Sequence, residues 1–291
     1  MAERSPGSAD TRPPILVGGS ARAGTHVVGR LISQHPDYYL IPTEARFHCA
    51  DGGLADLVTG RTDFESFARL CLGPLWKRGL REHLGLQVLI ERDRLEGALA
   101  ELREGLEQDR FAAARRFAAA ILDEKARAEG KRAWVEVSGR NIIKGPALRR
   151  IFTTARFVHM IRDGRAVTAA ILQKRDTTDD RAEALGHWLS RVRGAHRAMR
   201  RLPPSAVIVV PLDDLVAERR EETFERLVSF CGIGDAPAVR AYFDREISAE
   251  RAHVGKWRER VHPADARWIE RRYRRALRRL GREGITWLPR P

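Results

Sequence analysis

Only three cysteines occur in 291 residues. Cys49, Cys71 and Cys231 lie far apart, with no Cys-x-x-Cys and no paired His/Cys spacing. That excludes a disulfide framework and a structural zinc site, and leaves three ordinary buried thiols. Long hydrophobic runs are missing too. The longest are strand-length, such as Ala206 to Leu212, so no segment reads as crossing a bilayer. The first residues, MAERSPGSADTR, lack the apolar stretch of a secretory signal. Residues 1–12 read as a flexible N-terminus, and the cytoplasm is the expected location. Acidic residues are comparatively scarce: 39 Asp and Glu against 53 Lys and Arg, a formal charge of +14. Such a surplus predicts attraction to phosphorylated ligands, polyanions or anionic surfaces. No internal repeat is visible.

Much of the basic excess sits near the end. The segment RWIERRYRRALRRLGREG, Arg267 to Gly284, reads as an arginine-rich helix with a solvated face. It carries no recognition motif and no interleaved aromatic platform, so nucleic acid is not an expected partner.

With 43% hydrophobic residues the chain can bury a substantial core, and one α/β domain spanning 1–291 fits better than two full domains. Five short apolar segments alternate with helical patterns: Ile15 to Val17, Tyr38 to Ile41, Ala133 to Val137, Phe157 to Ile161 and Ala206 to Val210. That alternation predicts a P-loop-type parallel sheet wrapped by helices. Between the second and third segments, residues 54–130 look helical, with interruptions at Gly73-Pro74 and Gly85. This stretch is expected to form a helical insertion that builds a lid over an acceptor. Beyond Gly232 the tail is mixed helix and loop.

The glycine-rich turn after the first strand, Gly18-Gly19-Ser20-Ala21-Arg22-Ala23-Gly24-Thr25, leads into an apolar-periodic helix. Strand, glycine-rich turn and helix together aim backbone N–H groups at an anion. A nucleoside-triphosphate loop wants Gly-Lys-Ser/Thr, yet here Gly24 is followed by Thr25 and His26, with Arg22 two residues before the glycine. A second anion-binding signal follows the fourth strand, where FVHMI runs into Arg162-Asp163-Gly164-Arg165 and a helix begins. Arginines at the carboxyl end of a strand stand where an open α/β sheet binds its ligand, and a guanidinium fork matches phosphate. The structural alternative is an ion pair between Arg162 and Asp163.

The stretches GGSARAGTHVVGRLISQHPD, TEAR, FVHMIRDGRAV and VPLDDLVAERREETFERLVSFCGI, together and in this order, resemble the sulfotransferases that use 3′-phosphoadenosine 5′-phosphosulfate (PAPS). The resemblance is nearest to the branch containing tyrosylprotein sulfotransferases and many bacterial enzymes, and runs from about Pro13 to about Trp257. It implies that Gly19, Ser20, Ala21, Arg22, Ala23, Gly24, Thr25 and His26 hold the 5′-phosphosulfate, and that Arg162 holds the 3′-phosphate. A sulfuryl group is less highly charged than a transferring phosphoryl group and leaves without an obligatory metal, so backbone amides and Arg22 can replace lysine and magnesium. No metal site is expected. PAPS is then a co-substrate and PAP (3′-phosphoadenosine 5′-phosphate) the product.

An acceptor hydroxyl must lose its proton as it attacks sulfur. By the same resemblance Glu44, in Glu44-Ala45-Arg46, is the base, with His26 and His48 the nearest alternatives. In HVGKWRERV the resemblance implies a loop closing over the nucleotide, with Lys256 near the 3′-phosphate, Arg258 beside it and Trp257 packing the loop. Two positions depart from the family pattern. Val137-Ser138-Gly139 stands where a lysine-containing tripeptide is usual, with Arg140, Lys144 or Ser138 as substitutes for the lost cation. Ala170 stands where a serine usually helps hold the 3′-phosphate. The acceptor is expected to be a hydroxyl on a small molecule, sugar, lipid or peptide, and a homodimer is compatible with the sequence. The competing readings are a P-loop kinase or NTPase, and a non-catalytic nucleotide- or polyanion-binding protein of the same descent.

Overall fold

The computed structural model describes residues 12–20, 22–77, 84–174 and 178–288. Five strands, β1 (Ile15–Gly19), β2 (Tyr38–Leu40), β3 (Ala133–Val137), β4 (Arg156–Ile161) and β5 (Val207–Pro211), form one parallel sheet in the order β2-β3-β1-β4-β5. All five lie within a residue or two of the apolar segments that predict them. β1 is central, with Val17 opposite Val137 on one side and Val158 on the other.

Side chains of a strand alternate between faces, and here they divide between two cores. Leu16, Trp134 and Phe157 enter one core, while Ile15, Val17, Val135, Val158 and Met160 enter the other. Helix α1 (Thr25–Ile32) covers the second face, burying Val28, Leu31 and Ile32. The first face is covered by the insertion, which contains α2 (Leu54–Val58), α3 (Phe64–Leu72), α4 (Arg92–Ala118) and α5 (Glu124–Ala128). There Phe117 meets Phe47 and Phe67 edge-on at 5.7 and 5.5 Å between ring centroids.

The expected interruption at Gly73-Pro74 ends α3. An unforeseen one lies inside α4, where Asp109 leaves helical geometry (φ −147°, ψ 98°) and its carboxylate accepts from the amides of Phe111 and Ala112 at 2.9 and 3.0 Å. This is an N-cap for the second half of α4, and the chain reverses there. Gly105 comes so close to Ala113 that an added Cβ would lie 2.8 Å from the alanine methyl.

The remaining helices are α6 (Gly145–Ile151), α7 (Gly164–Lys174), α8 (Arg181–Met199), α9 (Arg220–Cys231), α10 (Pro237–Glu246), α11 (Ala249–Ala252) and α12 (Pro263–Arg282). The arginine-rich α12 buries Ala266, Ile269, Tyr273 and Leu280 and leaves its arginines outward, as a solvated face should. No helix among the described residues is long and apolar enough to cross a membrane.

Candidate active site

The loop after β1 is shaped by two close approaches. A Cβ on Gly19 would lie 2.3 Å from the Met160 carbonyl oxygen, so only glycine lets β1 end this near β4. The chain then turns through Ala23 N–H to Ser20 O at 3.2 Å. Arg22 (φ 63°) and Gly24 (φ 81°) are both left-handed. A non-glycine residue held there is strained, and such strain gathers at ligand clamps. Gly24 caps α1 without a side-chain partner. The amides of Gly24, Thr25, His26 and Val27 therefore stand at the helix start with no intrahelical acceptor. Ala23 is wholly buried and anchors the turn. Ala21 lies outside the described residues.

Arg162 follows β4 and is 7% exposed. Its Nη1 donates to Arg22 O at 3.0 Å and its Nη2 to Ala252 O at 2.6 Å, while the buried Nε has no acceptor. Burial, set against the field of Asp213, lowers the pKa of this guanidinium. The ion pair belongs to Arg165 instead, which binds Asp163 at 2.6 Å and Glu270 of α12 at 3.0 Å. One arginine of the pair braces the fold, and the other keeps donors to spare.

Two cavities flank the loop. On the β5 side a cavity of about 340 Å³ is lined by Arg22, Gly24, Arg162, Ala170 and Leu212, among others. On the β3 side one of about 470 Å³ is lined by Gly19, Ser20, Glu44, Ser138, Arg140 and Arg191, among others. α7 separates them, offering Ala170 to the first and Val167 and Ile171 to the second.

Residues 13–237 match the model of a sulfotransferase family. The chain belongs to that family. Its fold is similar to the sulfotransferase domain of the Synechococcus PCC 7002 olefin synthase, at 18% identity and a TM-score of 0.55, covering 94% of this chain and 98% of that one. A sulfotransferase domain from the curacin biosynthetic pathway is similar at 13% identity and a TM-score of 0.55, with 97% and 100% covered. No curated protein matches the sequence.

In this sulfotransferase-family chain Glu44 faces the β3-side cavity. Arg46 Nε donates to its carboxylate at 2.6 Å, with a second bond from Nη2, and His26 Nε2 lies 3.4 Å from it. Burial opposes the charge, but the His26 hydrogen bond and the Arg46 guanidinium outweigh it and bring Glu44 down to about 2. His26 is exposed beside Glu44, whereas His48 is fully buried and does not line the cavity.

Beneath Glu44 lies a polar floor that the sequence motifs do not point to. Glu136, wholly buried in β3, accepts from Ser138 Oγ at 2.5 Å, from Asn141 Nδ2 at 2.7 Å and from the Ala45 amide at 3.2 Å, and lies 3.1 Å from His48 Nε2. Burial works against a proton on His48, yet Cys49 and the Glu136 carboxylate outweigh it and raise its pKa. The available signal is the acid itself: a carboxylate inside an apolar strand, WVEV, has to find partners there.

The departures from the family pattern have definite places. Val137 is core. Ser138 spends its hydroxyl on Glu136, and Lys144 is held by Asp56 at 2.7 Å outside the cavity. Arg140 does line it, paired with Asp51. Ala170 faces the β5-side cavity. Lys256 is exposed and absent from that cavity's wall, which Arg260 enters instead. Trp257 is buried, 5.7 Å from Arg165 and 4.8 Å from Arg258, and braces the segment rather than lining the cavity.

Among the described residues of 54–130 none lines the β3-side cavity, and the insertion's apolar residues cover the sheet. The walls come from 44–51, 138–140, α7 and α8. Among the described residues no cluster of His, Cys, Asp and Glu gathers that could hold a metal ion.

Proposed function

We propose that the protein transfers a sulfuryl group from PAPS to a hydroxyl acceptor, with the donor in the β5-side cavity and the acceptor in the β3-side cavity. The observation that carries this reading is Arg162: a guanidinium only 7% exposed, fixed by two backbone carbonyls through one N–H of each Nη, on the wall of a cavity rich in positive charge. Each Nη keeps a second N–H, and a phosphate oxygen can take such a donor in a charge-assisted bond. The helix-start amides of Gly24 to Val27 and the Arg22 side chain supply the matching site for the 5′-phosphosulfate.

The reaction then runs across the loop. The acceptor oxygen attacks sulfur from the β3 side, the bond from sulfur to the phosphate oxygen breaks, and PAP leaves with the bonding electrons. The acceptor proton passes to Glu44, which lines the same cavity as Gly19 and Ser20 of the loop. A nucleotide kinase would need a lysine where the loop has Ala23, Gly24 and Thr25.

Calorimetric titration with PAP, ADP and ATP tests the donor half. Tight binding of PAP alone is expected, and equal affinity for ATP would return the chain to the kinase reading. Transfer from labelled PAPS to a panel of alcohols and phenols tests the other half, and PAP binding without any transfer would make the chain a nucleotide-binding relative.

A further inference from the structure

The β3-side cavity carries a charge that the transfer reaction does not use. Three arginines line it together with two carboxylates, Glu44 and Asp51. Arg46 is paired with Glu44, and Arg140 with Asp51. Arg191 makes no hydrogen bond or ion pair among the described residues. It is half-buried on α8, on the same helical face as His187 and Trp188, which also line the cavity. Burial and the fields of Arg140 and Arg46 act against its charge and outweigh the attraction of Asp51 and Cys49. The same cavity also has an apolar lining, Val167 and Ile171 of α7 with Trp188.

We infer that Arg191 is a specificity residue that receives a carboxylate of the acceptor, so that the acceptor is a hydroxy acid with an apolar body. This rests on placing the acceptor in the β3-side cavity. The surplus over the two internal pairs is one guanidinium, which matches a single negative charge. A planar carboxylate can take both arms of the fork. Its arrival also relieves the repulsion among the three guanidiniums. The hydroxyl end is then directed toward Glu44 and the loop after β1, which line the same cavity.

The test uses two matched pairs, 4-hydroxyphenylacetate with 4-hydroxyphenylacetamide and 3-hydroxyhexanoate with its amide. Each is titrated calorimetrically into the full chain saturated with PAP. The acid of at least one pair is expected to bind about tenfold to a hundredfold tighter than its amide, the range of one charge-assisted contact. Arg191→Gln should bring acid and amide to equal affinity, while Arg191→Lys keeps part of the preference, and an unchanged PAP dissociation constant shows that both variants are folded. Equal binding of acid and amide in both pairs overturns the inference, as does an acid preference that survives in Arg191→Gln. Acid preference without any sulfate transfer would leave this site standing and remove the sulfotransferase reading. Transfer without acid preference does the reverse.

Discussion

The two cavities on either side of the β1 loop use arginine in opposite ways. On the β5 side Arg22, Arg162, Lys174, Arg251 and Arg260 face one carboxylate, Glu246. On the β3 side three arginines face two carboxylates, and each carboxylate already has its arginine. A 3′-phosphate alone brings a charge of about −2, and a phosphosulfate adds to it, so the first cavity suits a highly charged ligand and the second one of no more than a single negative charge. Their scaffolding differs in the same sense. Arg162 is placed by backbone carbonyls, which cannot titrate or be drawn away by a ligand. Glu44 is held by side chains, one of them the half-exposed Arg46, and these can move. The proposed function gives binding to the first side and proton transfer to the second.

The largest effect that would break this contrast is expected at Glu44. Glu44→Gln keeps the shape and one acceptor oxygen but cannot take a proton, so turnover should fall by about 10²–10⁴-fold while PAP affinity stays unchanged. The loss should be greatest with aliphatic alcohols, because phenols ionise more readily. Steady-state rates beside calorimetry check both halves. Full turnover of an aliphatic alcohol by this variant, with a large loss in His26→Ala, would transfer the proton to histidine.

Smaller losses, confined to the donor, are expected on the other side. Arg162→Ala removes a charge-assisted contact and should weaken PAP about tenfold to a hundredfold. Adenosine 5′-phosphosulfate, lacking the 3′-phosphate, should be nearly unaffected, and an equal loss for both ligands would make Arg162 a structural residue. Arg260→Ala should weaken PAP by about threefold to tenfold, since a partly solvated arginine contributes less. Lys256→Ala should change it little. The reverse order would mean that the segment around Trp257 closes differently over the nucleotide.

How far the sequence shows this contrast depends on where each residue sits. The strands are legible because β1, β3 and β4 are buried on both faces along nearly their whole length and are therefore mostly apolar, with Glu136 and His159 the interior exceptions. The loop and Arg162 are legible because glycine and arginine at strand ends carry their own chemistry. The β3-side cavity is not, since Arg191 sits in a helix, RAEALGHWLSRVRGAHRAM, where an arginine reads as surface until α8 is set beside α7. Lys256 and Arg260 are four residues apart in a 3-10 helix, so they point to different sides, and a run rich in basic residues does not say which of them faces inward. The insertion is recognised as helical, but how it covers the sheet depends on long-range packing of Phe117 against Phe47 and Phe67.

The finest test of the contrast lies in the pH dependence of the β3 side. A carboxyl brought down to about 2 is ionised through the whole working range, and its favourable partners contribute stability above the unfolded value that is lost as pH falls through about 2. Wild-type kcat/KM should therefore show no acid limb from Glu44 between about pH 4 and 8. Arg46→Ala removes two of the causes that lower the pKa, the Arg46 field and its hydrogen bond, while the burial that raises it remains. The carboxyl should move up toward the ordinary range, and kcat/KM should begin to fall below about pH 5. At neutral pH the variant changes turnover by no more than about tenfold, because a stronger base offsets the looser positioning. An acid limb near pH 6–7 in the wild type that disappears in His26→Gln would assign the proton to His26, and the side chains around Glu44 would then serve to hold that histidine in place.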